Sequence, residues 1–263
     1  MKISVIGAGA MGGSTIEGLL KTNIITADNI IVSDPIHETL NRFAELGTSV
    51  TNDNAVAAES GDIVMVFVKP WLVEQVLKGI KDVMDYSRQI LVVVAAGVKS
   101  TDILSWMRKD SEKVANPPLF LAIPNIAIAQ LASMTFVVPI GADNEATRKV
   151  TEVFEAMGKV LITDERHLPA GTTLASCGIA YAMRYLRAAS EGGVELGFKA
   201  NEAKEIVMQT MKGAVELLEA SGLHPEAAID LVTTPGGVTI KGLNEMEHAG
   251  FTSAVIRGLK AGM

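Results

Sequence analysis

Cysteine is almost missing from this chain: Cys177 is the only one in 263 residues. An intrachain disulfide is excluded, and a reducing compartment is the expected setting. A Cys–His nucleophilic pair gains no support, since no motif places His37, His167, His224 or His248 beside Cys177. No Lys/Arg run interrupts a formal net charge of −7, which argues against a nucleic-acid partner but leaves room for a local anion site. No apolar stretch reaches the roughly 18 residues that a bilayer span needs. The opening "MKISVIGAGAMGG" has no signal-peptide pattern and reads as a strand entering a turn. A soluble, cytoplasmic protein is expected, with no metal, membrane or nucleic-acid partner.

What is present is ordinary globular composition, 48% hydrophobic and 20% charged, in a length that suits one large domain or two smaller ones. The first half alternates short apolar runs with helical periodicity. Strands are expected at 3–7, 29–34, 62–70 and 88–97, with helices at 11–22, 36–47 and 71–84. Further strands are expected at 119–125, 134–141 and 159–163, with a helix over 144–158. Runs that are apolar throughout fit a parallel sheet covered on both faces, hence a doubly wound α/β domain over 1–164.

The first strand-to-helix turn reads "GAGAMG", with Gly7, Gly9 and Gly12. Such glycines give a tight turn, let backbone approach a pyrophosphate, and pack helix on strand, while the diphosphate sits at the positive helix end. An acid 22 residues after Gly12, Asp34, closes the second strand and completes the dinucleotide fingerprint. Asp34 facing a ribose diol favours NAD; Asp34 turned away, with Ser33 and backbone meeting a 2′-phosphate, admits NADP. Arg42 and Lys21 are the nearest bases. NADH and NADPH both remain open as cofactors.

From Ser176 the character is helical. The segments 177–197 and 201–222 carry helical spacing, the second with a stripe of Val207, Met211, Ala214 and Leu218, an N-cap at Asn201 and a stop at Gly222. A helical domain over 165–263 is too small to make much core alone, so a homodimer that buries it is expected, with a higher oligomer allowed. One stretch breaks the helices: "DLVTTPGGVTIKGLNEME", 230–247. A proline and two glycines there make a plain turn, a helix cap, or a nest of N–H groups for an anion.

Taken in order, "VIGAGAMGGSTIEGLL", "DN" at 53–54, "VKPW" at 68–71, "AAGV" at 95–98, "PN" at 124–125 and "TTPGGVTIKGL" at 233–243 resemble the pyrroline-5-carboxylate reductase family over nearly the whole chain. The resemblance implies a Rossmann-type domain, an all-helical C-terminal dimerisation domain, and reduction of 1-pyrroline-5-carboxylate to L-proline by NAD(P)H. It implies cofactor contacts from Gly7, Ala8, Gly9, Ala10 and Met11 at the pyrophosphate and from Asn54 near the adenosine ribose. Val68, Lys69 and Pro70 would lie beside the nicotinamide ribose, Ala95, Ala96 and Gly97 along the nicotinamide, and Asn125 near the reacting end. The carboxylate of the small-molecule substrate would meet Thr234, Gly236, Gly237, Val238 and Thr239, with Cys177 lining the pocket and Thr239 the candidate catalytic group. The imine is already electrophilic, so an acid–base dyad is not required, and none is visible.

The chain departs from the family pattern near that pocket. Leu121 replaces a basic residue; Ile126, Ala127 and Ala132 replace Thr, Pro and Glu; Ser176, Cys177 and Ile179 replace Gly, Ser and Pro; Arg187 replaces Glu. These departures motivate two rival readings: a reductase of the same architecture for another cyclic imine or a carboxylate-bearing ketone, and a dinucleotide-binding protein without turnover.

Overall fold

The computed structural model describes residues 1–109 and 115–263. It divides into two compact units, Met1–Ser176 and Cys177–Met263, whereas the sequence reading sets the boundary at 164/165.

The first unit is built on one eight-stranded sheet in the order β3-β2-β1-β4-β5-β6-β7-β8. The strands are β1 (Ile3–Ile6), β2 (Ile30–Ser33), β3 (Ser49–Thr51), β4 (Ile63–Val66), β5 (Ile90–Val93), β6 (Leu119–Ile123), β7 (Ser133–Ile140) and β8 (Gly158–Ile162). Every neighbouring pair is parallel except β6–β7. Among the described residues six helices flank it: α1 (Ala10–Lys21), α2 (His37–Glu45), α3 (Asn54–Ser60), α4 (Val73–Ile80), α5 (Ser100–Trp106) and α6 (Asn144–Glu155).

The sheet is apolar on both faces because alternate residues of one strand feed different cores. Ile3, Val5, Met65 and Val92 pack with Ile16 and Leu19 of α1, Phe43 of α2 and Phe154 of α6. Ile6, Val64, Val66, Leu91 and Val93 pack with Ala57 of α3, Leu77 and Ile80 of α4 and Ile103 of α5. Each fully buried Leu, Ile or Phe contributes about 1.5–3 kcal/mol. The two layers together give the doubly wound architecture.

Three elements were not anticipated. β3 is short and exposed on two of its three residues, and α3 and α5 have seven residues each, too few for a helical period to stand out. The helix expected over 71–84 is shorter: a 3₁₀ turn at Pro70–Leu72 precedes α4, which ends at Ile80. A one-turn helix α7 (Leu168–Gly171) and a π-helical segment Thr172–Ser176 close the first unit.

The second unit holds α8 (Cys177–Glu195), α9 (Ala200–Ser221), α10 (Pro225–Leu231), α11 (Val238–His248) and α12 (Phe251–Ala261). α9 begins before the expected cap: Lys199 is its N-cap, and the Glu202 carboxylate accepts the Lys199 N–H at 3.1 Å, closing the turn ahead of Asn201. Gly222 ends α9 in the left-handed region, φ 62°. Of this whole unit only Ala203 and Ala228 are buried.

Candidate dinucleotide and carboxylate sites

The parallel register sets the carboxyl ends of five strands side by side. Ile6 pairs with Ser33 and Val66, Val66 with Val93, and Val93 with Leu121. The segments that follow are Gly7–Gly12, Asp34, Val68–Pro70, Ala95–Gly97 and Asn125, the residues singled out from sequence. In open α/β sheets ligands bind at this edge, where the strand order reverses between β1 and β4.

The three glycines of the turn differ in what they do. Gly7 has φ +92°, and a Cβ there would lie 2.8 Å from the Phe67 carbonyl oxygen. At Gly12 a Cβ would land on the Gly7 carbonyl oxygen. Gly9 has ordinary φ and nothing within 4 Å of an added Cβ, so packing does not demand glycine there. Its bare backbone faces a cleft of about 680 Å³ lined by Ala8, Ala10, Ser14, Glu38, Thr39 and Arg42 among others. Gly9 is also the N-cap of α1 with no side-chain cap, so the first N–H groups of the helix are unsatisfied. Bare backbone, open space and a positive helix end are what a pyrophosphate needs, and the residues fit a dinucleotide.

Asp34 is buried and turned toward the glycine loop. One carboxylate oxygen accepts the Ala8 N–H at 2.8 Å, the other the Ile36 N–H at 2.9 Å. Ser33 turns the other way and donates to Asn54 Oδ1 at 2.7 Å. Lys69, with Pro70, is exposed after β4, and Gly97 takes φ +78° where the chain leaves β5.

Asn125 is committed within the protein. Its Oδ1 accepts the Ala127 N–H at 3.0 Å, capping the 3₁₀ segment Ile126–Gln130, and its Nδ2 donates to the Ala175 carbonyl at 3.4 Å. Beside it Ser176 Oγ donates to the Pro124 carbonyl at 3.1 Å, a bond that the family's glycine lacks the side chain to make. Sequence reasoning missed two anchors: Ala175 with Ser176, and Glu165, whose carboxylate accepts the Ser100 N–H at 2.9 Å and Ser100 Oγ–H at 2.5 Å. These contacts join residues 50 to 65 positions apart, so no local pattern announces them.

The break at 230–247 resolves into a tight turn that opens a helix. Gly237 N–H donates to the Thr234 carbonyl at 2.9 Å, Pro235 holds the second corner and Gly236 takes φ +72° at the third. That is a type II turn, which requires a positive φ at its third residue. Gly237 is then the N-cap of α11, again without a side-chain cap. Its own N–H is spent in the turn, so the open donors are those of Val238, Thr239 and Ile240. Among the described residues the hydroxyls of Thr234 and Thr239 have no hydrogen-bond partner, whereas Thr233 caps α10 through the Ile229 and Asp230 carbonyls. Cys177 is half-buried at the first position of α8, and Arg187 pairs with Glu191 at 2.8 Å.

Two family models match the chain. Residues 165–263 match pyrroline-5-carboxylate reductase dimerisation, and residues 2–97 match NADP oxidoreductase, coenzyme F420-dependent. The pyrroline-5-carboxylate reductase of Methanosarcina acetivorans is 32% identical over 97% of this chain and 94% of its own length. Pyrroline-5-carboxylate reductase 2 of Dictyostelium discoideum is 32% identical over 98% of this chain and 89% of its own. This chain belongs to the pyrroline-5-carboxylate reductase family. Reductase 1 of Dictyostelium discoideum, 34% identical, is longer, and the chain spans 48% of it. The reductase structure from Streptococcus pyogenes matches with a TM-score of 0.86 at 28% identity, covering 100% of this chain and 96% of that one. The Coxiella burnetii reductase structure matches at 0.88 and 25%, covering 99% and 95%. The reductase family's dimerisation domain falls on the helices that bury almost nothing, so the second unit is an oligomerisation domain.

Proposed function

We propose that this chain reduces 1-pyrroline-5-carboxylate to L-proline with NADH or NADPH, in the cytoplasm, as a homodimer joined through its C-terminal helices. The observation that carries the reading is the survival of both anion-binding elements in a chain that aligns with a family member over 97% of its residues. The glycine turn delivers the bare start of α1, and the TPGG turn delivers the bare start of α11.

Gly7, Ala8, Gly9, Ala10 and Met11 hold the pyrophosphate, while Gly12 keeps α1 against β1. Asp34, with Ser33 and Asn54 behind it, meets the adenosine ribose. Val68, Lys69 and Pro70 flank the nicotinamide ribose, and Ala95, Ala96 and Gly97 line the ring. Asn125 supports the reacting end by fixing the loop after β6. When bound, the nicotinamide supplies the hydride. The chain anchors the substrate carboxylate on the Val238 and Thr239 N–H groups and the Thr234 hydroxyl, with Gly236 and Gly237 shaping the turn and Cys177 as a small pocket wall. Thr239 Oγ is free to bond the imine nitrogen. Positioning of this kind supplies up to about 7–11 kcal/mol of a barrier, enough to dispense with a strong acid–base pair.

The test is oxidation of reduced nicotinamide by pyrroline-5-carboxylate, run with each cofactor. Turnover is expected, falling at least tenfold in Thr239→Ala and vanishing in Gly237→Asp, which sets a carboxylate against the substrate's own. Dinucleotide binding without turnover of this imine would sink the reading and turn the search to other cyclic imines and carboxylate-bearing ketones.

A further inference from the structure

We infer that this chain prefers NADH to NADPH and that Asp34 sets the preference. The inference rests on the dinucleotide reading above and adds to it a choice between two cofactors that differ only by a 2′-phosphate.

A dinucleotide whose pyrophosphate sits at the first helix of a doubly wound sheet lays its adenosine ribose over the end of the second strand. Asp34 occupies that place, and two backbone bonds, one to each carboxylate oxygen, Ala8 N–H at 2.8 Å and Ile36 N–H at 2.9 Å, hold its side chain in position. A carboxylate has about four acceptor positions, so two remain for ribose hydroxyls. A 2′-phosphate brought to the same point meets a fixed negative charge instead.

Among the described residues the two nearest bases, Lys21 and Arg42, are both engaged elsewhere. Ser33, the hydroxyl best placed in sequence for a phosphate, donates to Asn54 Oδ1 and faces α3. Lys21 donates to the Ala129 carbonyl at 2.5 Å and to Gln130 Oε1 at 3.1 Å. Arg42 does line the cleft, but it is paired with Glu17 and stacked over Phe43, 5.0 Å from the ring centroid. Glu17 and Glu38 line the same cleft, so its wall carries two carboxylates against one guanidinium. His37, exposed in the first turn of α2, is not part of that wall. Both the fixed acid and the engaged bases therefore select for the cofactor without the extra phosphate.

The experiment measures dissociation constants of NADH and NADPH on the full chain by calorimetry, with kcat/KM on pyrroline-5-carboxylate alongside. NADH is expected to bind at least about tenfold more tightly, a gap of about 1.4 kcal/mol. Asp34→Asn keeps an acceptor oxygen and removes the charge, so it should narrow the ratio about tenfold, chiefly by tightening NADPH. Glu17→Gln, which frees Arg42 without touching Asp34, should narrow it a few-fold. A wild-type ratio of one or less overturns the preference whatever the variants do. An unchanged ratio in folded Asp34→Asn overturns the assignment to Asp34. NADPH binding as tightly as NADH or more so, with proline formed, refutes the preference alone, whereas binding of neither cofactor takes the dinucleotide reading down with it.

Discussion

Gly9 and Gly12 look alike in the sequence and do opposite jobs. Gly12→Ala drives a methyl into the Gly7 carbonyl, so it should cost more than about 2 kcal/mol of stability and abolish dinucleotide binding together with the turn. Gly9→Ala enters open space at an ordinary φ and should change stability by less than about 0.5 kcal/mol. It should nonetheless weaken NADH binding, because its methyl occupies the cleft. Thermal unfolding beside a binding titration separates the two effects. Tyr86 offers a second test, through pH. Its hydroxyl donates to the Met107 carbonyl at 2.6 Å, and burial pushes its pKa well above the usual value. A pKa raised by folding means that the folded state holds the proton more tightly. The stabilisation is complete below the unfolded value near pH 10 and is lost as pH rises toward the folded value. Tyr86→Phe should lose about 1 kcal/mol at neutral pH and flatten this alkaline decline, read from urea unfolding. The fingerprint glycines were legible because each obeys a local rule. The partners of Asp34 and Asn125 were not, because burial and long-range bonds assigned them.

At the scale of elements, long and strongly periodic segments could be read and short ones could not. β1, β2, β4 and β5 announce themselves as apolar runs, since both of their faces are covered. β3, α3 and α5 lack enough residues to show a period. The TPGG turn illustrates a different limit. Its glycines were recognisable, but three readings stayed open until the Thr234–Gly237 bond fixed a type II turn at the start of α11. It is a turn and a helix start together. The two glycines should again separate. Gly236→Ala must hold a positive φ and should cost about 1 kcal/mol in the loop, while Gly237→Ala meets the Thr234 hydroxyl at 2.5 Å and shifts the residue that carries it. Both should raise the KM for substrate and leave the dissociation constant for NADH unchanged, since the glycine turn of α1 is untouched.

For the whole molecule, the first unit closes its own core and the second does not. Met208, Val215, Leu217, Val255 and Ile256 are all exposed on α9 and α12, and Met183, Leu186, Val194 and Met208 line an apolar groove between α8 and α9. Contiguous apolar patches beyond a few hundred Å² are rare on monomers. The composition of these helices was legible in the sequence as amphipathic stripes, but only the burial pattern shows that almost no stripe finds a partner within the chain. Sedimentation should therefore give a dimer or a multiple of it. Val215→Asp should yield dissociated chains with reduced activity and with the spectroscopic signature of the α/β unit retained.

The central claim is hydride transfer to a cyclic imine held by its carboxylate. Its most direct test is incubation of the chain with pyrroline-5-carboxylate and NADH carrying deuterium at the transferable C4 position, followed by mass spectrometry of the product. The account predicts proline carrying one deuterium at the former imine carbon, lost when Gly237→Asp replaces the wild-type chain. Bound NADH with no proline formed, or proline free of the label, would contradict it.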